Sequence, residues 1–286
     1  MADVPPAKPD TSALPTFIVI GAMKAGTTTI HAWLDEHPDV FMSAEKELDF
    51  FVDAWRWPRG LDWYRLQFAD VGDAIARGES SPDYTKTHNH PRIPERMASV
   101  VPWARLIYLV REPIARMRSM YRHLVLDGTE HRSFEDAVLA DDDYLETSRY
   151  MRQIRAYLEF YDRDRILVET TERLAADPHE TMATVFEHIG VDPTHTIDVS
   201  EHHNVTRTDL EESPTALRLK GLSPYWAALN RSWRLREMHD RLFVRPIPLP
   251  AADLSQGTED ALRLSLEDDT LALEELMGRR LTEWGR

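Results

Sequence analysis

The stretch FIVIGAMKAGTTTIHAWLDEH, residues 17–37, decides the fold, because a strand, a loop and a helix follow one another directly in it. Its opening run FIVI is apolar and β-branched, as in a parallel strand buried on both faces. Ile30, Trp33 and Leu34 then recur at helical spacing. Pro38 ends this helix, since the residue before a proline avoids the helical conformation. The stretch predicts the first unit of an α/β fold.

Similar patterns alternate along the rest of the chain. Strands are predicted at 16–21, 73–80, 104–110 and 165–170. Helices are predicted at 27–37, 91–102, 111–128, 133–140, 142–161 and 177–190, with one or two more between 258 and 284. This alternation predicts a three-layer domain, in which helices flank both faces of a parallel sheet and ligands bind at the carboxyl ends of the strands.

The composition limits the classes of protein that need to be considered. The 286 residues fit one domain, predicted at 16–286, after a proline-rich leader expected to be disordered at 1–15. No cysteine is present, which excludes disulfides, thiolate metal sites and cysteine nucleophiles. A net charge of -15 argues against a nucleic-acid partner. Without a signal peptide or membrane-length apolar run, we expect a cytoplasmic protein. The irregular segment 195–235 is the expected lid.

The loop GAMKAGTT, residues 21–28, is typical of an anion site between a strand and a helix. Gly21 and Gly26 permit a tight backbone, so several N–H groups and the positive helix end can point at one place. Lys24 adds a full charge, and three threonines follow the second glycine. Phosphate-loop nucleotidases instead have a lysine directly after that glycine. Here Thr27 occupies the position, so the loop predicts an anion ligand outside the usual ATPase pattern.

The strand at 104–110 ends in a cation rather than a carboxylate. Magnesium-dependent phosphoryl transfer usually needs an acidic residue at the end of a second strand, but Arg111 stands there. Ser119 follows about two turns into the next helix, which has Pro113 in its first turn. Both side chains can then face one crevice. We therefore predict a second phosphate subsite and no metal.

Three segments in this order resemble the family of sulfotransferases that use 3′-phosphoadenosine 5′-phosphosulfate (PAPS). Residues 17–51 are similar to the family's 5′-phosphosulfate loop and the segment that follows it. The run GESSPDY, 78–84, resembles a second family element, and residues 105–123 resemble its 3′-phosphate segment. Weaker similarity continues over 165–192. The context of Glu47 looks most like heparan-sulfate-type and related bacterial enzymes.

The resemblance implies a P-loop-NTPase-like fold and metal-free, in-line sulfuryl transfer to a hydroxyl or amine. It implies that the loop binds the phosphosulfate through Lys24, Ala25, Gly26, Thr27, Thr28 and Thr29. Arg111 and Ser119 would bind the 3′-phosphate and so distinguish PAPS from ADP and ATP. Lys24 would also neutralise the leaving phosphate, and Glu47 would be the general base.

The acceptor stays open between a small molecule and a glycan. Ser80 occupies a position where many relatives have a lysine that would approach the acceptor, and Tyr84 is a candidate acceptor contact. His88 is a further candidate contact and, with His90 and His123, a rival base. The aromatic cluster of Trp55, Trp57, Trp63 and Tyr64 is either an acceptor platform or core packing.

Two other functions compete with sulfuryl transfer. A phosphate-loop small-molecule kinase needs a lysine after Gly26 and an acidic strand end, and the sequence has neither. A non-catalytic nucleotide-binding protein would keep the loop and lose the base. The presence of Lys24, Glu47, Arg111 and Ser119 together argues against it. The oligomeric state is not predicted.

Overall fold

The first strand of the chain lies at the centre of a five-stranded parallel sheet. In the computed structural model, which describes residues 13–53, 56–69, 71–199, 210–212, 244–246 and 250–285, the strand order is β2-β3-β1-β4-β5. The strands are β1 Phe17–Gly21, β2 Val40–Met42, β3 Ala76–Ser80, β4 Arg105–Val110 and β5 Ile166–Thr170. The predicted α/β class with a parallel sheet is confirmed, and of the five strands in this sheet only the three-residue edge strand β2 was missed.

Helices flank the sheet and carry its connections. They are α1 Thr27–Asp35, α2 Gly60–Leu66, α3 Ile93–Val100, α4 Pro113–Leu126, α5 Phe134–Ala140, α6 Asp143–Glu146, α7 Tyr150–Leu158, α8 Thr171–Ala176, α9 Pro178–Ile189 and α10 Gln256–Met277. Their ends follow the sequence signals. Ser133 caps α5 by accepting the Asp136 N–H at 3.1 Å, and Gly190 ends α9 in the left-handed conformation.

The sheet places the ends of β1 and β4 side by side. Residues 17–20 of β1 are fully buried, as a central strand should be. β1 pairs with β3 on one side and with β4 on the other, with Ile18 opposite Glu79 and Leu106. The carboxyl ends of β1, β3 and β4 therefore meet at one edge of the sheet, where the loops that follow them can share a ligand.

The single helix predicted at 142–161 is wrong, because the chain breaks at 147–149 into α6 and α7. The Asp269 carboxylate of α10 accepts the N–H groups of Met151 and Arg152, each at 2.9 Å, and so begins a new helix. The Ser148 hydroxyl in the break accepts from Nε of the buried Arg116 at 2.7 Å. A tertiary cap and a buried cation thus override the helical periodicity.

The predicted leader at 1–15 and the predicted lid at 195–235 are described only in part. Residues 1–12 of the predicted leader lie outside the described residues, but Leu14 is only 3% exposed and its carbonyl accepts from the Arg77 side chain. Most of the predicted lid at 195–235 also lies outside the described part. Within it, the strand Leu210–Glu212 pairs antiparallel with Val244–Pro246. In the part of the chain that the structure describes, no helix is long and apolar enough to cross a membrane.

Candidate active site

The loop between β1 and α1 turns at two glycines. A Cβ on Gly21 would lie 2.1 Å from the Thr85 hydroxyl, so only glycine fits between β1 and the turn after β3. Gly26 precedes α1 with φ 92°, and no side chain caps the helix start. The first-turn amides of α1 are therefore not satisfied by a capping side chain, which is the arrangement that binds anions at a helix N-terminus.

Lys24 lies in the middle of this loop, half-buried and with φ 67°. Its ammonium forms no ion pair with any residue that the structure describes. Burial lowers the pKa of Lys24, while the carboxylates of Asp127 and Glu47 act in the opposite direction. A half-buried cation without a partner is unfavourable unless a bound anion completes the site.

Arg111 approaches the same loop from the end of β4. Its Nη1 donates to the Lys24 carbonyl at 3.4 Å, and its guanidinium also forms no ion pair within the described residues. The Thr171 hydroxyl joins the two loops, with the carbonyls of Ala25 at 2.7 Å and Val110 at 3.1 Å. The structure thus brings Lys24 and Arg111 together. Ser119 lies two turns along α4, half-buried.

Glu47 lies in the loop that follows β2, against the carboxyl end of β3. Its N–H donates to the Ser80 carbonyl at 2.9 Å, and φ is 62°. Its carboxylate is 53% exposed and accepts from the neighbouring Lys46 ammonium at 2.6 Å. Asp49, with φ 48°, is tied to the same strand end through its N–H and the Ser81 hydroxyl at 3.0 Å. Two hydrogen bonds therefore fix the Glu47 segment beside the anion loop.

A buried network around Glu79 supports the Glu47–Asp49 segment through the Ser81 hydroxyl. Glu79 is fully buried and accepts from the hydroxyls of Tyr64 at 2.6 Å, Ser81 at 2.7 Å and Tyr84 at 3.0 Å. Burial raises the pKa of Glu79, and these three donors oppose the rise. Burial and the charges of neighbouring carboxylates also raise the pKa of Asp49, to about 8.

The three predicted acceptor residues differ in their burial and in their hydrogen-bond partners. Ser80 is fully buried, with its hydroxyl 3.1 Å from Nδ1 of His31. The ring of Tyr84 is also fully buried and its hydroxyl is used by Glu79, so an acceptor contact through this side chain is contradicted. His88 binds the Asp143 carboxylate at 2.7 Å through Nε2, and Gln153 lies 3.3 Å from its Nδ1. With both ring nitrogens engaged, His88 is poorly placed to act as a base.

His31 is a site residue that the sequence analysis missed. It lies on α1, one turn after Thr27 and Thr28, so helical spacing from the loop is the signal that could have found it. Burial and Lys46 lower its pKa to about 4, with Glu47 opposing, so its ring is neutral at pH 7. On α4, burial and Lys24 lower the pKa of His123, which lies 3.3 Å from the Asp127 carboxylate.

The aromatic cluster after Glu47 is mainly core packing. The ring of Tyr64 is fully buried and stacks on Phe50 at 4.2 Å between centroids. Trp57 and Trp63 pack against the core, and Trp63 lies beneath the guanidinium of Arg59. Trp55 lies outside the described residues. Within the described residues, no three His, Asp or Glu side chains converge as metal ligands.

The central loop, the two neighbouring cations and the acidic residue beside the end of β3 form a candidate anion-binding site at the carboxyl edge of a parallel sheet. The family model of the sulfotransferase domain matches residues 14–213, and the chain belongs to this PAPS-dependent family. A solved sulfotransferase from Alicyclobacillus acidocaldarius has the same fold, with a TM-score of 0.68 over 95% of this chain and 99% of that chain at 22% identity.

Curated relatives match over part of their length. The membrane-associated sulfotransferase kil1 of Dictyostelium discoideum is 31% identical over 144 residues, 47% of this chain and 29% of that protein. Human heparan sulfate glucosamine 3-O-sulfotransferase 5 is 28% identical over 193 residues, 63% of this chain and 54% of that protein. The chain thus spans between about a quarter and about a half of the length of these relatives.

Proposed function

We propose that this protein transfers a sulfuryl group from PAPS to a hydroxyl or amine of a small-molecule or glycan acceptor, without a metal. The observation that carries the proposal is the convergence of Lys24 and Arg111 at the ends of adjacent strands, with no ion pair to a described residue. Two cations at one strand edge fit a ligand with two separate phosphate groups. Family membership supports PAPS as that ligand.

The donor set fits PAPS. The amides of Gly26, Thr27 and Thr28 and the hydroxyls of Thr27 and Thr28 lie at a helix start without a side-chain cap and suit the 5′-phosphosulfate. The N–H groups of Ala25 and Thr29 instead donate to the carbonyls of Ala22 and Gly26, each at 3.1 Å. Arg111 and Ser119 are assigned to the 3′-phosphate, which ADP and ATP lack. When bound, the cofactor supplies the sulfuryl group and the phosphate that leaves with it.

The roles of the chain's own groups follow from their charge. The Lys24 ammonium neutralises negative charge that develops on the leaving phosphate oxygen as its bond to sulfur breaks. Glu47 takes the proton of the acceptor as the new bond from oxygen or nitrogen to sulfur forms. The exposed Glu47 carboxylate is open to an incoming acceptor, and His31 beside it is neutral at pH 7.

The acceptor class is proposed from the names of the relatives alone. The names of the heparan sulfate relatives favour a sugar acceptor, and the small-molecule alternative is retained because those relatives are much longer than the matched region. A cytoplasmic location stays a prediction.

Calorimetric titration of adenosine 3′,5′-bisphosphate in chelator, beside ADP and ATP with magnesium, tests the proposal. We expect the bisphosphate to bind tightly without metal and the other two nucleotides to bind weakly. Preference for ATP with magnesium would replace the proposal with a phosphate-loop kinase.

A further inference from the structure

The backbone of Arg111 is held by a single buried hydroxyl. Tyr150, the first residue of α7, is only 1% exposed. Its hydroxyl donates to the Arg111 carbonyl at 2.7 Å, and the Arg111 N–H approaches the same oxygen at 3.4 Å. One side chain thus binds both backbone groups of the residue assigned to the 3′-phosphate.

The next peptide group is held from the other side by Glu172 of α8. Its Oε1 accepts the Glu112 N–H at 2.9 Å, and its Oε2 accepts from the Trp284 indole at 3.1 Å. The Glu112 side chain in turn caps α4 by accepting the Ala115 N–H at 2.6 Å. The turn from β4 into α4 is therefore fixed by two residues, Tyr150 and Glu172, that lie 39 and 60 positions from their partners in the turn.

This support matters because, within the described residues, no charged side chain pairs with the Arg111 guanidinium. The guanidinium donates a 3.4 Å hydrogen bond to the Lys24 carbonyl. A long side chain without a charged partner has many rotamers, and ordering it on a ligand costs free energy. The direction in which it leaves the backbone then decides how well it meets a phosphate.

We propose that Tyr150 and Glu172 are positioning residues that aim Arg111, and that they thereby set the preference for nucleotides carrying a 3′-phosphate. The inference rests on the proposed function, because it takes Arg111 to bind that phosphate. Neither side chain needs to touch the ligand. Both act by fixing the turn between β4 and α4.

The test compares two nucleotides on the full chain by calorimetry. Adenosine 3′,5′-bisphosphate carries the group that Arg111 would bind, and adenosine 5′-monophosphate lacks it. Tyr150→Phe removes only the hydroxyl, so we expect about five- to tenfold weaker binding of the bisphosphate, as for one lost hydrogen bond. Binding of the monophosphate should stay within about twofold, since the β1 loop is unchanged.

Tyr161→Phe is the matched control. Tyr161 is also buried, and its hydroxyl donates to the Val101 carbonyl at 3.1 Å, before the amino-terminal end of β4. This variant also loses a tyrosine hydroxyl and its hydrogen bond to a backbone carbonyl, but far from the site. The ratio of the affinities for the bisphosphate and the monophosphate should therefore not change.

Glu172→Gln gives a second, independent variant, which also serves if Tyr150→Phe does not fold. The Glu172 carboxylate accepts from two donors, the Glu112 N–H and the Trp284 indole. The glutamine amide has only one acceptor oxygen, and its NH₂ group would face the other donor, so one of the two contacts is weakened. We expect the affinity ratio to fall in the same direction as in Tyr150→Phe.

Each outcome decides between supporting and overturning the inference. A fall in the ratio for the two site variants, but not for Tyr161→Phe, supports it. An unchanged ratio, or equal loss for both nucleotides, overturns it and leaves the proposed function standing. If the unmodified protein shows no preference for the bisphosphate, the inference and the proposed 3′-phosphate site fall together.

Discussion

Two sides of the site differ in how they are supported. The donor side, formed by residues 21–29 and Arg111, is fixed by the two central strands and by the hydroxyl of Tyr150. The acceptor side, formed by residues 46–49, belongs to the loop that follows β2 and lies against the end of β3. There, Glu47 is 53% exposed and its side-chain partner is its neighbour Lys46. Buried Asp49 has an Oδ1 without a hydrogen bond in the described residues.

This difference indicates that the sheet determines anion binding, whereas the loops determine acceptor binding. Anion binding uses backbone amides and strand ends, which a parallel sheet supplies directly. Acceptor binding depends on side chains of connecting segments, which can vary without altering the sheet. We therefore expect substitutions on the donor side to abolish transfer generally, and substitutions on the acceptor side to separate turnover from cofactor binding.

The largest effect is expected for Lys24→Ala. Turnover should fall by about 10³-fold, because a charge aimed at the leaving phosphate is lost. The fold should persist, since burial already lowers the pKa of Lys24 and no described ion pair is broken. The rate at which adenosine 3′,5′-bisphosphate is produced measures turnover, and a thermal melt shows whether the fold persists.

Arg105→Ala is the control for the Lys24 variant. Arg105 is exposed at the opposite end of β4 from Arg111, and its removal changes the net charge by the same amount. Its turnover should stay near that of the unmodified protein. Normal turnover in Lys24→Ala would remove this lysine from the mechanism.

A smaller effect is expected for Glu47→Gln on the acceptor side. Turnover should fall by about 10²-fold, as for loss of a general base, while affinity for the bisphosphate stays within about threefold. Glu45→Gln is the matched control, because Glu45 lies in the same loop and pairs with Arg56 instead.

Histidine variants test the assignment of the base further. If His88→Ala or His123→Ala lowers turnover with unchanged bisphosphate affinity, and Glu47→Gln does not, the base is a histidine. Steady-state rates at saturating donor, together with calorimetry, distinguish these cases.

Asp49→Asn should change stability rather than cofactor binding. Burial and the charges of Asp83, Glu79 and Glu47 raise the pKa of Asp49 to about 8, with Arg56 opposing. The folded protein therefore keeps a proton that the unfolded chain releases above about pH 4. Stability from this group is lost as the pH rises from about 4 to 8, and asparagine does not titrate.

The expected gain at pH 7 is about 1–3 kcal/mol in the free energy of unfolding, since an unfavourable buried carboxyl is removed. Denaturant unfolding at pH 5 and pH 7 measures it, and the advantage of the variant should be larger at pH 7. A pH-independent difference between the two proteins would show that Asp49 does not titrate in this window.

The sequence predicted the parts of the fold and site whose signals are local. Each of these signals lies within a few residues: the run FIVI, the two glycines of the loop and the strand before Arg111. The structure has β1 at the run FIVI and β4 directly before Arg111. Arg111 lies against the loop of Lys24, because the carboxyl ends of adjacent parallel strands share one edge.

The parts that were missed depend on distant contacts. The break at 147–149 requires the Asp269 carboxylate to cap α7, and no local breaker marks it. The roles of Tyr150 and Glu172 depend on contacts with the Arg111–Glu112 turn that no short motif encodes. Tyr84 was misassigned, because its use by the buried Glu79 appears only once β3 and the following turn are packed.

The hydrogen bond from Arg111 to the Lys24 carbonyl joins residues 87 positions apart, which has a consequence for folding kinetics. The two cations meet only after β1 has paired with β4, a non-local step that follows costly loop closure. The nascent chain therefore has no competent anion site until its sheet is nearly complete. Saturating bisphosphate should slow unfolding and leave the refolding rate unchanged, which stopped-flow measurement in both directions can show.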